Sequence, residues 1–286
     1  MGRSPAGGLR VSAAPEGELL DLAIEAARLA GGLLAERVGR GAERSVSAKS
    51  TPTDLVSEAD LEAERAIREL LAGRRPDDGF LGEEGGGEDG TSGLRWIVDP
   101  LDGTVNFLFG IPQWSVSVAV ADQAGTVAGA VYDPGREELF TATREGAAQL
   151  RGRAGTIELK GRSEDPRGED LQGDSGLATA MVATGLAYDA GVRAAQARVL
   201  ADLVPKVRDI RRFGSAALDL CWTAAGRYDA YYERTVKPWD IAAGELICRR
   251  AGLEVRELPQ APGLPWGILV ARAGLAGALS EVVGGA

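Results

Sequence analysis

The stretch W-I-V-D-P-L-D-G-T-V-N-F, residues 96–107, carries the strongest local signal in the chain. Trp96, Ile97 and Val98 read as a buried strand, and Pro100, which has no N–H to give to a ladder, is expected to stop it. Asp99 and Asp102 then emerge together at the strand's carboxyl end. Gly103 and Thr104 open a short helix, so two carboxylates stand beside free backbone N–H groups at a helix N-terminus, a natural seat for phosphate. The same residues also suit a plain tight turn, because Asp, Pro and Gly dominate turns for backbone reasons. An EF-hand is excluded, since the twelfth position from Asp99 is Gly110 rather than a bidentate Glu. The D-x-D of aspartyl-phosphate phosphatases is absent too; the spacing is D-x-x-D.

Three other stretches carry carboxylates at element ends. L-G-E-E sets Glu83 and Glu84 after a short apolar run over Gly79–Gly82; T-D-L-V-S-E-A-D flanks the start of a helix with Asp54 and Asp60; K-P-W-D-I-A-A-G puts Asp240 at an expected helix N-cap. Each has an ordinary reading as a surface charge, a capping-box member or a cap. Jointly they suggest a carboxylate site assembled from four separate stretches. The total absence of histidine removes Ser-His-Asp and Cys-His catalysis and the usual zinc sites. Chemistry must then rest on carboxylates, hydroxyls or hard cations.

Lys plus Arg total 32 against 42 Asp plus Glu, a net charge of −10 that disfavours nucleic acid as a partner. Cys221 and Cys248, the two cysteines, sit in apolar helical patterns and read as buried thiols of a reducing compartment, so a cytoplasmic location is expected. No apolar run is long enough to span a bilayer, and the N-terminus lacks an apolar signal core. No membrane association is expected.

At 286 residues, 44% hydrophobic and 26% charged, the chain has material for a sizeable core. Helical spacing runs through Leu19, Ala23, Ile24, Ala27, Ala30, Leu34 and Val38, and a second helix starts near Ser57, whose spacing to Asp60 is that of a capping box. Strands are expected over Gly79–Gly82, 95–98, 115–121 and 126–132, the last two as a hairpin. Beyond a Gly, Pro and charge-rich segment at 161–176, strands near 178–183, 228–232 and 266–271 alternate with helices over 194–204, 215–225, from Asp240, and at the end. This alternation predicts layered α/β packing. The expected division is a flexible tail over 1–15, an α+β domain over 16–160 carrying most of the acidic residues, a linker or exposed loop over 161–176, and an α/β domain over 177–286 completing the site.

The combination of G-E-E, D-P-L-D-G-T and W-D-I-A-A-G resembles the inositol monophosphatase family, within the wider lithium-sensitive phosphatase superfamily, from the first helix to the last. The resemblance implies an αβαβα layered sandwich in two unequal halves with the site between them, and Mg2+, two or three ions per site, as cofactor. It implies Glu83, Asp99, the Leu101 carbonyl, Asp102 and Asp240 as metal ligands, and Glu83, Thr104 and the supporting Asp60 as catalytic residues. Ser57 stands where the family's D-x-V-T-x-x-D motif has Thr, and Lys49 matches a family position near the metals. On the substrate side it implies the backbone N–H groups of Gly103 and Thr104 for phosphate, with Ala216, Glu233 and Asp240 for the alcohol. A small phosphorylated polyol or sugar is the implied partner, inositol 1-phosphate first. Fructose 1,6-bisphosphate, histidinol phosphate or another small ester, or a catalytically silent regulatory role, remain alternatives. A homodimer is implied by the family alone.

Overall fold

A computed structural model describes residues 15–40, 46–48, 55–163 and 176–284. Lys49 and Asp54 lie outside the described residues, as does the side chain of Ser57 and nearly all of the expected tail and linker. In chain order the first part comprises α1 (Glu16–Arg40), β1 (Val46–Ala48), β2 (Leu55–Ser57), α2 (Glu58–Arg74), β3 (Gly79–Gly82), β4 (Gly86–Glu88), β5 (Arg95–Asp102), α3 (Thr104–Leu108), β6 (Ser115–Asp122), β7 (Gly125–Asp133), β8 (Glu138–Thr143), β9 (Gln149–Gly152) and β10 (Gly155–Glu158). The second part comprises β11 (Met181–Thr184), α4 (Ala190–Leu203), β12 (Asp209–Arg211), α5 (Ala216–Ala224), β13 (Ala230–Arg234), α6 (Pro238–Arg250), β14 (Glu254–Leu258), β15 (Gly267–Ala271) and α7 (Leu275–Val283).

The layering follows from which faces are apolar. Alanines 23, 26, 27 and 30 of α1 are fully buried, and their small size lets the helix lie close on an eight-stranded sheet of order β10-β9-β8-β7-β6-β5-β3-β4. α2 joins it through Ala59, Ala63, Ile67 and Leu71. Alternate residues of the same strands, among them Ala119, Val131, Phe140 and Ala142, face the other way, onto α5 and α6. Both middle helices are apolar nearly all round because they also touch a five-stranded sheet of order β12-β11-β13-β15-β14. Their close pairing depends on Gly244, where an added Cβ would stand 2.7 Å from the Leu220 side chain. α4 and α7 cover the far face through Leu203, Leu275, Leu279 and Val283. The result is the expected αβαβα sandwich.

Strand direction decides what meets in the cleft. β3 and β5 run parallel, Gly82 beside Val98, so both carboxyl ends point the same way. In the second sheet β11, β12 and β13 are mutually parallel in the same manner. Carboxyl ends of parallel strands are where open α/β sheets gather ligands.

Three local expectations are corrected. Pro100 does not stop its strand: β5 continues to Asp102 through a bulge, with Asp99 opposite Ser117 and Asp102 opposite Ser115, and a bulge needs no N–H from its extra residue. Asp240 is not an N-cap; Lys237 holds that position and Pro238 takes the first turn, which leaves Asp240 at N3. The strand expected near 178 begins later, since Leu177–Thr179 forms a 3-10 turn before β11.

Candidate active site

A cleft of about 380 Å3 opens where the carboxyl ends of the two sheets face each other. One wall is Glu83, Asp99, Leu101, Asp102, Gly103 and Thr104; the other includes Arg212, Gly214, Ala216, Glu233, Lys237 and Asp240, with residues 186–189 at the rim. Among the described residues, the expected metal, catalytic and substrate-binding residues all line this cleft except Asp60, which reaches it through Thr104.

The first wall is built from the bulge and the turn. The Glu83 N–H donates to the Val98 carbonyl at 3.2 Å, which holds the turn after β3 against β5. The bulge at Pro100 keeps Asp99, Leu101 and Asp102 together at one strand end. Gly103 then turns the chain into α3 with φ 98°, a left-handed conformation that glycine adopts freely, and an added Cβ would meet the Gln113 carbonyl oxygen at 2.9 Å. Thr104 Oγ1 lies 2.9 Å from Asp60 Oδ1 and 3.1 Å from the Leu101 carbonyl oxygen, so its proton is committed to an acceptor on the protein side. Asp60 is fully buried on the first turn of α2.

The second wall comes from the middle helices and the second sheet. Ser215, the N-cap of α5, donates its hydroxyl to Asp102 at 2.6 Å, and the Ala217 and Ala216 N–H groups donate to the same carboxylate at 2.7 and 3.2 Å. Asp240 accepts from the Lys237 N–H at 2.6 Å. Glu233, at the end of β13, accepts from the Tyr231 hydroxyl at 2.8 Å and packs flat on Gly185, where an added Cβ would stand 1.9 Å from its carboxyl carbon. Asn106 ties the walls together by donating to the carbonyls of Gln113 and Phe213 at 2.7 and 2.6 Å.

The electrostatics are dominated by crowded acids. Burial pushes Asp99 well above the ordinary carboxylate range, and the charges of Glu83, Asp102 and Asp240 push it further. Asp240 is raised for the same reasons, burial first and Asp102 next. Asp102 is pushed up to about 6 by burial, held there by the opposing hydrogen bonds from Ser215, Ala217 and Ala216. Glu233 rises to about 7 through burial, against the Tyr231 hydrogen bond and the nearby Arg212. Among the described residues no three such side chains close into a ready-made cage. The donor set nevertheless fits Mg2+: it is all oxygen, its three aspartates Asp99, Asp102 and Asp240 resist carrying their own negative charge, and Mg2+ is held by a few carboxylates together with water and phosphate rather than by an all-protein cage.

Several residues that matter here were not singled out from the sequence. Ser215 had a readable signal, a hydroxyl at a helix start, but its acceptor lies 113 residues away. Arg212 and Lys237 bring positive charge to an acidic cleft. Thr235, between Glu233 and Asp240, adopts φ 71°, a conformation that β-branched residues resist, and marks local backbone strain at the site.

The sequence profile described as "Inositol monophosphatase family" matches residues 16–282. The "Inositol-1-monophosphatase SuhB" of Mycobacterium tuberculosis is 42% identical over 267 residues, covering 90% of this chain and 88% of that protein. A protein of Pasteurella multocida named "Nus factor SuhB" is 41% identical over 236 residues, covering 82% and 83%. Among solved structures, the extragenic suppressor protein suhB of Bartonella henselae superposes with a TM-score of 0.79 at 35% identity, covering 93% of this chain and 98% of that one. The chain belongs to the inositol monophosphatase family.

Proposed function

We propose that this protein is a Mg2+-dependent phosphatase that hydrolyses a small phosphate monoester, with inositol 1-phosphate as the preferred substrate. The observation that carries the proposal is the convergence of Glu83, Asp99, Leu101, Asp102, Asp240 and Glu233 on one cleft, beside a threonine whose hydroxyl is tied to a buried aspartate. Glu83, Asp99, the Leu101 carbonyl, Asp102 and Asp240 would hold the cations. When bound, Mg2+ supplies charge neutralisation for the phosphoryl group and lowers the pKa of water.

The chain's own groups do the rest. Thr104, its proton engaged by Asp60 and Leu101, would accept a hydrogen bond from the attacking water and orient it together with Glu83; the water's proton would pass through the Thr104 hydroxyl to the Asp60 carboxylate, which receives the threonine proton in exchange. The N–H groups of Gly103 and Thr104 would hold phosphoryl oxygens. Glu233, which lines the same wall of the cleft as Ala216, would accept hydrogen bonds from neighbouring hydroxyls of the alcohol, which rewards a polyol and leaves an alcohol without them poorly bound. Phosphoryl transfer is catalysed mainly by positioning and charge neutralisation, so a site without histidine suffices. A cytoplasmic homodimer is part of the same proposal.

Phosphate release from inositol 1-phosphate, fructose 1,6-bisphosphate, histidinol phosphate and adenosine 3′,5′-bisphosphate, with and without Mg2+, tests it. Mg2+-dependent preference for inositol 1-phosphate is expected. Preference for another ester would retain the chemistry and change the substrate. The Pasteurella relative's name motivates a second reading, a regulator on the same scaffold. That reading takes over if folded, Mg2+-loaded protein releases phosphate from none of the four.

A further inference from the structure

The sequence of α2 carries an acid that no motif explains. Glu64 is buried to 4% exposure, yet it lines no part of the cleft. Its carboxylate reaches instead into the turn that bears Glu83. Oε2 accepts the Glu84 N–H at 2.8 Å. The fit is close on both sides: an added Cβ at Gly82 would stand 2.3 Å from Glu64 Oε2, and one at Gly85 would stand 2.5 Å from Oε1. Glycines before and after the Glu83–Glu84 pair therefore make the room this carboxylate occupies.

A second residue of the same helix completes the arrangement. Arg68 Nη2 lies 3.7 Å from Glu64 Oε1, one helical turn away. The same guanidinium sits 4.2 Å over the Phe80 ring of β3 and pairs with Glu88 of β4 through Nη1 at 2.7 Å. The strand before the turn, the turn, and the strand after it are thus all tied to one face of α2. Glu83 has its own N–H fixed to β5 and the next N–H fixed to Glu64, which leaves the backbone that aims its side chain little freedom.

We infer that Glu64, braced by Arg68, is a positioning residue that sets the direction of the Glu83 carboxylate and with it the affinity of the site for divalent cations. This rests on the reading of Glu83 as a cation ligand. Partners that orient a ligating side chain from behind typically change metal affinity about 10–100-fold when removed. A purely structural ion pair on α2 would lower the melting temperature without that effect.

Calorimetric titration with Mg2+, alongside melting temperatures, separates the two. Glu64→Ala is expected to weaken Mg2+ binding about tenfold. Glu64→Gln, which keeps the length and an amide oxygen for the Glu84 N–H, restores most of the affinity. Gly85→Ala, which pushes against Glu64 Oε1 without removing it, weakens binding in the same direction and serves if Glu64→Ala does not fold. In a Glu83→Gln background neither change weakens binding further, because they act through Glu83. The inference is overturned if their losses add to that of Glu83→Gln, or if they lower the melting temperature and leave Mg2+ affinity intact. If Glu83→Gln alone leaves Mg2+ affinity unchanged, the ligand reading falls and takes the inference with it.

Discussion

Asp99 and Asp102 stand three residues apart on one bulged strand and meet opposite surroundings. Asp102 is received by the N-terminus of α5, with one hydroxyl and two backbone N–H groups donating to it. Asp99 has a donor from its own strand, the Leu101 N–H at 3.0 Å, and otherwise faces Glu83, Asp102 and Asp240. Both are buried. The protein supplies positive partial charge to one aspartate and further negative charge to the other, and this is why Asp102 stays near 6 while Asp99 goes well above the usual range. The fold thus orients Asp102, whereas under the proposed function a bound cation would balance the charge of Asp99.

The most severe way to break the contrast is to neutralise each aspartate in turn. Asp99→Asn and Asp102→Asn should both lower phosphate release by on the order of 10²–10³-fold or more. Their stabilities should diverge. Asp99→Asn keeps its acceptor for the Leu101 N–H and removes repulsion, so the metal-free protein should melt higher. Asp102→Asn sets an amide NH2 against the α5 N–H groups and should lose about 1–3 kcal/mol, read by urea unfolding.

Ser215→Ala comes next. It removes both a helix cap and a donor to Asp102, and about 1–2 kcal/mol of stability should go with it. The Asp102 pKa should rise further, because the lost hydrogen bond was lowering it.

On the second sheet, Gly185→Ala should displace the Glu233 carboxylate while leaving the first wall untouched. The expected result is a KM for inositol 1-phosphate raised about tenfold, the loss of a hydrogen bond or two, with little change for phenyl phosphate, which has no neighbouring hydroxyls. Equal effects on both esters would remove Glu233 from alcohol recognition.

A test without substitution reads stability against pH in the absence of divalent cations. Asp102 and Glu233 move from 3.8 and 4.5 to about 6 and about 7, so the folded state binds more protons than the unfolded one between those values. Their contribution is fully present below pH 4 and is lost as pH rises to 7. Melting temperatures in a chelator should record that loss, and Mg2+ should reduce it.

Much of this was legible in the sequence because the signals were local. The periodicity of α1, the apolar run of β3 and the hairpin of β6 and β7 need only their own residues, and the acidic residues were brought together by motifs. What failed was also local in origin. Pro100 reads as a strand end until Ser115 and Ser117 reveal the bulge across from it, and Pro238 at the first helical position moved Asp240 from the cap to N3. The short strands β9 and β10 carry Gln, Arg, Gly and Glu with no apolar alternation to betray them. Ser215 and Glu64 became visible only through partners distant in sequence, Asp102 for one and the Glu84 N–H for the other.

The most direct test follows Mg2+ binding and phosphate release from inositol 1-phosphate on the same preparations of the natural protein and Asp99→Asn. Release that requires Mg2+ is expected from the first, and loss of both Mg2+ affinity and release from a folded, more heat-stable second. Undiminished hydrolysis in a chelator, or normal turnover by Asp99→Asn, would contradict the proposed function.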